Sequence, residues 1–189
     1  MDPDELLKLF KKHNALLEGH FLLSSGLHSP KYLQSALILQ HPDLAERIGK
    51  AIADKVRHLK PQCVATPAVG GIVIGQEIAR ALNVRHIYTE REDGKMMLRR
   101  QFEIQPEERI LIADSIITTG GAPLEVMQVM HANKANVVGI GVVVDRSGDA
   151  FKPNVPVESL LKIVLETYTP ENCPLCQEKI PIVKPGSRK

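Results

Sequence analysis

The residues with the most chemistry to offer form one stretch, Arg109-Ile110-Leu111-Ile112-Ala113-Asp114-Ser115-Ile116-Ile117-Thr118-Thr119-Gly120-Gly121-Ala122. It opens as a short apolar run bounded by charge, the pattern of a buried parallel strand. The run ends in an acid and a hydroxyl, Asp114 and Ser115. Ile116 and Ile117 follow, then the Thr118-Thr119-Gly120-Gly121 turn. Beyond Pro123 the spacing of Leu124, Val126, Met127 and Met130 is helical. A strand, a Gly/Thr turn and a helix start gather backbone N–H groups at a positive helix end, which suits a phosphate. An acid just before the turn faces the sugar hydroxyls of the same ligand. The stretch therefore reads as a ribose-phosphate cradle. Gly-x-Gly-x-x-Gly and Gly-Lys-Ser/Thr, the signatures of two other nucleotide loops, are both absent. An ordinary strand-to-helix turn without a ligand is the competing reading, because Gly-Gly turns are common.

Three further places offer chemistry. Asn136 to Val144 is a continuous apolar strand ending at Asp145-Arg146-Ser147-Gly148. In open α/β sheets ligands sit at the carboxyl ends of strands, and an arginine there presents a planar fork to a carboxylate. A surface salt bridge is the plainer role for Arg146. Glu90 to Phe102 is dense in charge around Gly94 and reads as the least regular part of the core. It is either a solvated loop or, with Arg91, Lys95, Arg99 and Arg100, a basic lid over an anionic leaving group. Ala68-Val69-Gly70-Gly71-Ile72 is a second strand–glycine–helix junction, suited to close backbone approach or to tight packing. Cys173-Pro174-Leu175-Cys176 supplies only two of the four ligands a structural zinc requires, and no histidine stands near it in sequence. No metal-ligating residue is assigned on these grounds.

The elements that position these groups alternate. Asp2 to His13 is an amphipathic helix with Leu6, Leu7 and Phe10 on one side. Gly19 to Gln34 has a turn-rich centre between extended segments, a hairpin or hood. Pro42 to Lys60 is a helix stopped by Pro61. Cys63 to Pro67 is the first core strand, a helix runs from Ile72 to Leu82, and Arg85 to Thr89 is the next strand. A last strand is expected near Leu160 to Leu165. This alternation predicts an α/β fold, a doubly wound, mostly parallel sheet with a small N-terminal hood. At 189 residues a single domain is expected: hood 1–40, core 41–167, tail 168–189. With 24 basic against 22 acidic residues, the charge argues against nucleic-acid or membrane partners. No apolar run reaches the length of a membrane span, so a cytoplasmic protein is expected. Three cysteines do not make a disulfide framework.

The central stretch resembles the phosphoribosyl pyrophosphate (PRPP) motif of type I phosphoribosyltransferases: an apolar strand, two acidic residues, two apolar residues, then Thr-Thr-Gly-Gly. Asp114 stands at the first acidic position and Ser115 where the family usually has the second acid. Ser25, Gly26, Ser29 and Pro30 match the hood of orotate phosphoribosyltransferases, with Ser24 where many relatives carry a lysine. The run from Glu90 to Arg100 is similar to that branch's catalytic loop. The resemblance implies transfer of phosphoribosyl from PRPP to orotate, giving orotidine 5'-monophosphate and pyrophosphate, with Mg2+ as cofactor. It also implies a homodimer whose lid loops are shared between subunits. It assigns Arg91, Lys95, Asp114, Ser115, Ile116, Ile117, Thr118, Thr119, Gly120, Gly121 and Ala122 to PRPP, Thr118 and Arg146 to orotate, and Lys95 and Asp114 to catalysis. The Cys173–Cys176 tail is implied to be a structural C-terminus. A transferase acting on another base, and a PRPP-binding regulator weakened by Ser115, remain open as alternatives.

Overall fold

The computed structural model describes residues 1–23 and 25–185; Ser24 of the hood motif lies outside the described residues. Asp2 caps α1 (Pro3–Lys12) by accepting from the Glu5 N–H at 2.8 Å, with Pro3 in the first turn. β1 (Leu16–Leu22) and β2 (His28–Leu33) form an antiparallel hairpin, followed by the short α2 (Ala36–Leu39). Next come α3 (Pro42–Val56), β3 (Cys63–Pro67), α4 (Ile72–Leu82), β4 (Arg85–Glu92), β5 (Lys95–Leu98) and β6 (Arg109–Ile117). The chain continues with α5 (Gly121–Ala132), β7 (Asn136–Asp145), β8 (Val157–Lys162) and the single-turn α6 (Pro174–Gln177). The main sheet has the order β5-β4-β3-β6-β7-β8, parallel except for β5. No helix among the described residues is long and apolar enough to cross a membrane.

The alternation of side chains along β6 builds a core on each face of the sheet. Leu111 and Ala113 join Ile48, Ile52, Ile74 and Ile78 of α3 and α4 on one side. Ile110 and Ile112 join Val126 and Met130 of α5 on the other. A strand buried on both faces must be apolar throughout, which is why the Arg109 stretch is a continuous run.

Several boundaries differ from expectation. The helix expected to run to Lys60 ends at Val56 and passes into a 3-10 turn, Arg57–Leu59. β6 does not stop at the acid; it continues through Ile117, because β7 offers partners as far as Asp145. β4 runs on to Glu92 and turns through Asp93-Gly94 into β5, so the first part of the charge-dense segment is a hairpin. Asp93 and Gly94 both have positive φ, +49° and +79°, the geometry of a tight two-residue hairpin turn. The last strand lies at Val157–Lys162, earlier than Leu160 to Leu165, since β7 ends opposite Lys162 and Val164 is exposed.

α4 approaches the sheet closely at Gly75, where a Cβ would stand 2.3 Å from Thr66 Cγ2 and 2.5 Å from His86 Nε2. Thr66 Oγ1 and His86 Nε2 are themselves hydrogen-bonded at 2.9 Å. Burial pulls the His86 pKa down to about 4. The unfolded chain, with His86 at its ordinary value near 6.5, then takes up the proton first as the pH falls. This contribution to stability is complete above about pH 6.5 and is lost progressively as the pH drops towards 4. We expect the urea midpoint to fall between pH 7 and pH 5, and His86→Gln to flatten part of that slope.

Candidate active site

The strand order reverses between β3 and β6: from β3 the chain proceeds outward to β4, then crosses back to β6 on its other side. Connections leaving the carboxyl ends of these neighbours diverge to opposite faces of the sheet and leave a crevice, the usual ligand position in open α/β sheets. On one side stands the Ala68–Gly71 loop leading into α4. On the other stands the Thr118–Gly120 turn leading into α5. Ser115, buried near the end of β6, faces the first loop: a Cβ on Gly70 would sit 3.8 Å from its hydroxyl. Asp114, one residue earlier, is also buried, and its Oδ1 accepts from the Ser115 N–H at 2.7 Å.

The Thr118–Gly120 turn is built on Gly120. Its φ of +80° lies in the left-handed region, and a Cβ there would stand 2.0 Å from the buried Phe151 ring. As the N-cap residue of α5, Gly120 supplies no side-chain cap. The amides of the first turn therefore meet whatever occupies the crevice, and an anion is the favoured occupant. Thr118 is partly buried beside them and Thr119 is exposed. Gly120→Ala would combine left-handed strain, about 1–2 kcal/mol, with overpacking against Phe151, about 1–3 kcal/mol. We expect a lower melting temperature and weaker binding of a phosphate-bearing ligand in calorimetry.

Arg146 follows the last residue of β7. Its backbone N–H donates to the Ile117 carbonyl at 2.8 Å, which ties the end of β7 to the residue before the Thr118–Gly120 turn. Asp145 Oδ1 closes the following turn by accepting from the Ser147 N–H at 2.9 Å and its hydroxyl at 2.6 Å. Arg146 Nε is buried and has no hydrogen-bond partner among the described residues. Burial pushes this guanidinium below its ordinary pKa, partly offset by Tyr32 of β2. Burial raises the Tyr32 phenol, with Arg146 opposing. The hood hairpin therefore reaches the same crevice. Sequence reasoning passed over Tyr32, whose only signal is its place on the strand after the Ser29-Pro30 turn, and Phe151, which lies in an irregular segment.

The candidate lid residues stand elsewhere. Arg91 forms an ion pair with Glu125 of α5 and donates to the Gly94 carbonyl at 2.8 Å. With Lys95 it lines a groove between the β4–β5 hairpin and α5. Arg99 pairs with Glu92 at 3.4 Å, and Arg100 grips Glu90 through two hydrogen bonds of 2.6 and 2.8 Å. No described contact joins any of the four to the Thr118–Ala122 turn. Lys31, exposed, pairs with Glu18 at 3.8 Å. His28 points instead to the C-terminal segment: the cysteine pair that lacked histidines in sequence has two beside it in space, His20 and His28.

A family model described as phosphoribosyl transferase domain matches residues 34–173, and the chain belongs to that family. It is 48% identical over 189 residues to an orotate phosphoribosyltransferase of Caldicellulosiruptor bescii, covering 100% of both chains. It is 46% identical to the orotate phosphoribosyltransferase of Desulforamulus reducens, covering 100% of this chain and 99% of the relative. These full-length identities place it in the orotate phosphoribosyltransferase branch. The crystal structure of orotate phosphoribosyltransferase from Aeropyrum pernix shares the fold, with a TM-score of 0.69 at 24% identity over 84% of this chain and 93% of that chain.

Proposed function

We propose that this chain transfers the phosphoribosyl group of PRPP to orotate, giving orotidine 5'-monophosphate and pyrophosphate for pyrimidine nucleotide biosynthesis. The observation that carries the choice of base is Arg146, a half-buried guanidinium at the end of β7 whose Nε is buried and unpartnered among the described residues. A half-buried cation with a buried donor to spare favours a ligand with a carboxylate, and orotate carries one. Bases without a carboxylate would leave that charge uncompensated.

In this reading the turn from Thr118 to Ala122 holds the 5'-phosphate through backbone N–H groups and the threonine hydroxyls. Asp114 accepts from a ribose hydroxyl. The bond from the anomeric carbon to pyrophosphate breaks, the ring nitrogen of orotate bonds to that carbon, and orotate's nitrogen-bound proton is released. Positive charge builds on the ribose and negative charge on the departing pyrophosphate. The Asp114 carboxylate favours the first, and Lys95 of the hairpin the second, so most of the acceleration is positioning and electrostatics. Mg2+ suits the donor set: hard oxygen ligands are at hand in Asp114 and Ser115, and such an ion commonly takes one or two carboxylates together with substrate phosphates. When bound, it would neutralise charge on the pyrophosphate.

Lys95 and Arg91 lie against α5 of their own chain. This is consistent with a homodimer in which each hairpin segment serves the partner's crevice. The hood, core and tail would then act as one domain, each subunit completing the other.

A panel of bases tests the reading. Pyrophosphate release from PRPP should require orotate and be negligible with uracil, adenine or hypoxanthine. Release with a purine would assign another base. PRPP binding without release on any base would favour a regulator. Ser115 bears on the rate within this reading. Ser115→Asp would restore a charge near the developing cation, an effect of roughly 1.5 kcal/mol or about tenfold. We expect kcat to rise more than the KM for PRPP falls, in steady-state kinetics at saturating Mg2+. An unchanged or lower kcat would remove Ser115 as the reason for any slow turnover.

A further inference from the structure

His20 and His28 lie on the two hood strands, while Cys173 and Cys176 bracket the first turn of α6, 153 residues further along from His20 to Cys173. Their potential ligand atoms converge within 4.8 Å of one another. Cys173 Sγ is 3.6 Å and Cys176 Sγ 3.7 Å from His20 Nε2, and Cys176 Sγ is 3.3 Å from His28 Nδ1. The two ring nitrogens are 2.9 Å apart. A tetrahedral zinc with bonds of about 2.3 Å to sulfur and 2.0–2.1 Å to nitrogen separates N from S by about 3.6 Å and N from N by about 3.3 Å. The three nitrogen–sulfur distances bracket the first value, and the nitrogens need open only slightly to meet the second.

The surroundings favour the same ion. His20 Nδ1 is 2.8 Å from the Ile180 carbonyl, which can only accept. Nδ1 therefore carries the proton and donates it, leaving the Nε2 lone pair directed at the cluster. This is the second hydrogen bond that metal-bound histidines usually make. His20, His28 and Cys173 are buried, with Cys176 towards solvent. Two thiolates and two imidazoles in a closed set of four suit zinc in a structural role, with no coordination position left for water or substrate.

We propose that this chain binds one zinc ion through His20 Nε2, His28 Nδ1, Cys173 Sγ and Cys176 Sγ, clamping the hood hairpin to the C-terminal segment. The neighbouring bonds run along the same seam. His28 and Tyr168 exchange backbone hydrogen bonds of 2.8 and 2.9 Å, Val183 bridges His20 and Leu22, and the Ser29 hydroxyl donates to the Glu166 carbonyl at 2.8 Å. A two-stranded hairpin is marginally stable alone, so a cross-link here would set the hood's position. Tyr32, on the same strand as His28, carries that position to Arg146. The proposal does not depend on the base or on catalysis.

The test is elemental analysis of the untagged full-length protein, grown with zinc and purified under reducing conditions without chelator. Zinc should be present at about one ion per chain. It should be lost in Cys176→Ala and in His28→Ala, and kept in Cys63→Ser, whose thiol is buried elsewhere in the core. Cobalt(II) added to chelator-stripped wild type should give the visible bands of a tetrahedral ion and thiolate charge-transfer absorption, and zinc should abolish both. Chelation should lower the melting temperature. Zinc retained by the Cys176→Ala and His28→Ala proteins would overturn the proposal. So would wild type that holds no zinc and gives no tetrahedral cobalt spectrum. The cobalt titration uses wild type alone, so the proposal can fail even where a variant does not fold.

Discussion

Arg146→Ala weakens orotate binding roughly ten- to a hundredfold and leaves PRPP binding within about twofold of wild type, on the expectation that one charged hydrogen-bonded contact is worth 1.5–3 kcal/mol. The asymmetry follows from where the residue stands. Its side chain is half-buried at the end of β7 near Tyr32, while the proposed phosphate contacts come from the backbone of the Thr118–Ala122 turn. Removing the guanidinium also removes a half-buried cation whose buried Nε has no partner among the described residues. The folded protein should therefore tolerate the change, and the loss should appear in ligand affinity rather than in melting temperature. Titration calorimetry with each ligand separately checks it. Equal loss for both ligands would mean that Arg146 supports the end of β7, through its link to Ile117, and does not read the base.

Lys95→Ala should lower kcat roughly a hundred- to a thousandfold, the usual cost of deleting one group that stabilises a developing negative charge. A sharper result concerns which chain supplies it. If each hairpin segment serves the partner's crevice, Lys95→Ala and Arg146→Ala proteins, both nearly inactive, should complement each other on mixing. Random exchange makes half the dimers mixed, and one crevice in each has both residues, so activity should recover to roughly a quarter of wild type. Subunit exchange is followed independently with a fluorescent label. Exchange without recovery would place Lys95 in its own subunit's site or outside catalysis.

Much of this was legible in the chain because the core strands are buried on both faces. The expected limits of the first core strand, Cys63 to Pro67, coincide with β3. The next helix ends at Leu82 as its apolar spacing requires, and β7 exceeds its expected end by the single residue Asp145. The strand–turn–helix junction at Thr118–Gly121 was legible because a Gly-Gly pair after an apolar run admits the left-handed turn that Gly120 adopts, with φ of +80°. The β4–β5 hairpin was hidden by its charges. Alternate residues of an edge ribbon face solvent, so Glu90, Arg91, Glu92 and Lys95 look like a loop, although Asp93-Gly94 is a strong hairpin signal. The four-residue cluster was hidden for a different reason. His20 and His28 meet Cys173 and Cys176 only because the tail returns to pair with the hood, and no local spacing carries that information. Tyr32 was missed likewise: its neighbour Arg146 is distant in sequence and reached only through the fold.

The proposed reaction joins a phosphoribosyl group to orotate in the crevice between the ends of β3, β6 and β7. It is tested most directly by phosphorus NMR of wild-type protein with PRPP, orotate and Mg2+. The PRPP resonances should disappear only when orotate is present. Pyrophosphate and a single 5'-phosphomonoester should replace them in equal amounts, with matching loss of orotate absorbance, and Arg146→Ala should require far more orotate for the same rate. PRPP consumed equally without orotate, or unchanged in its presence by a protein shown to bind it, would contradict the account.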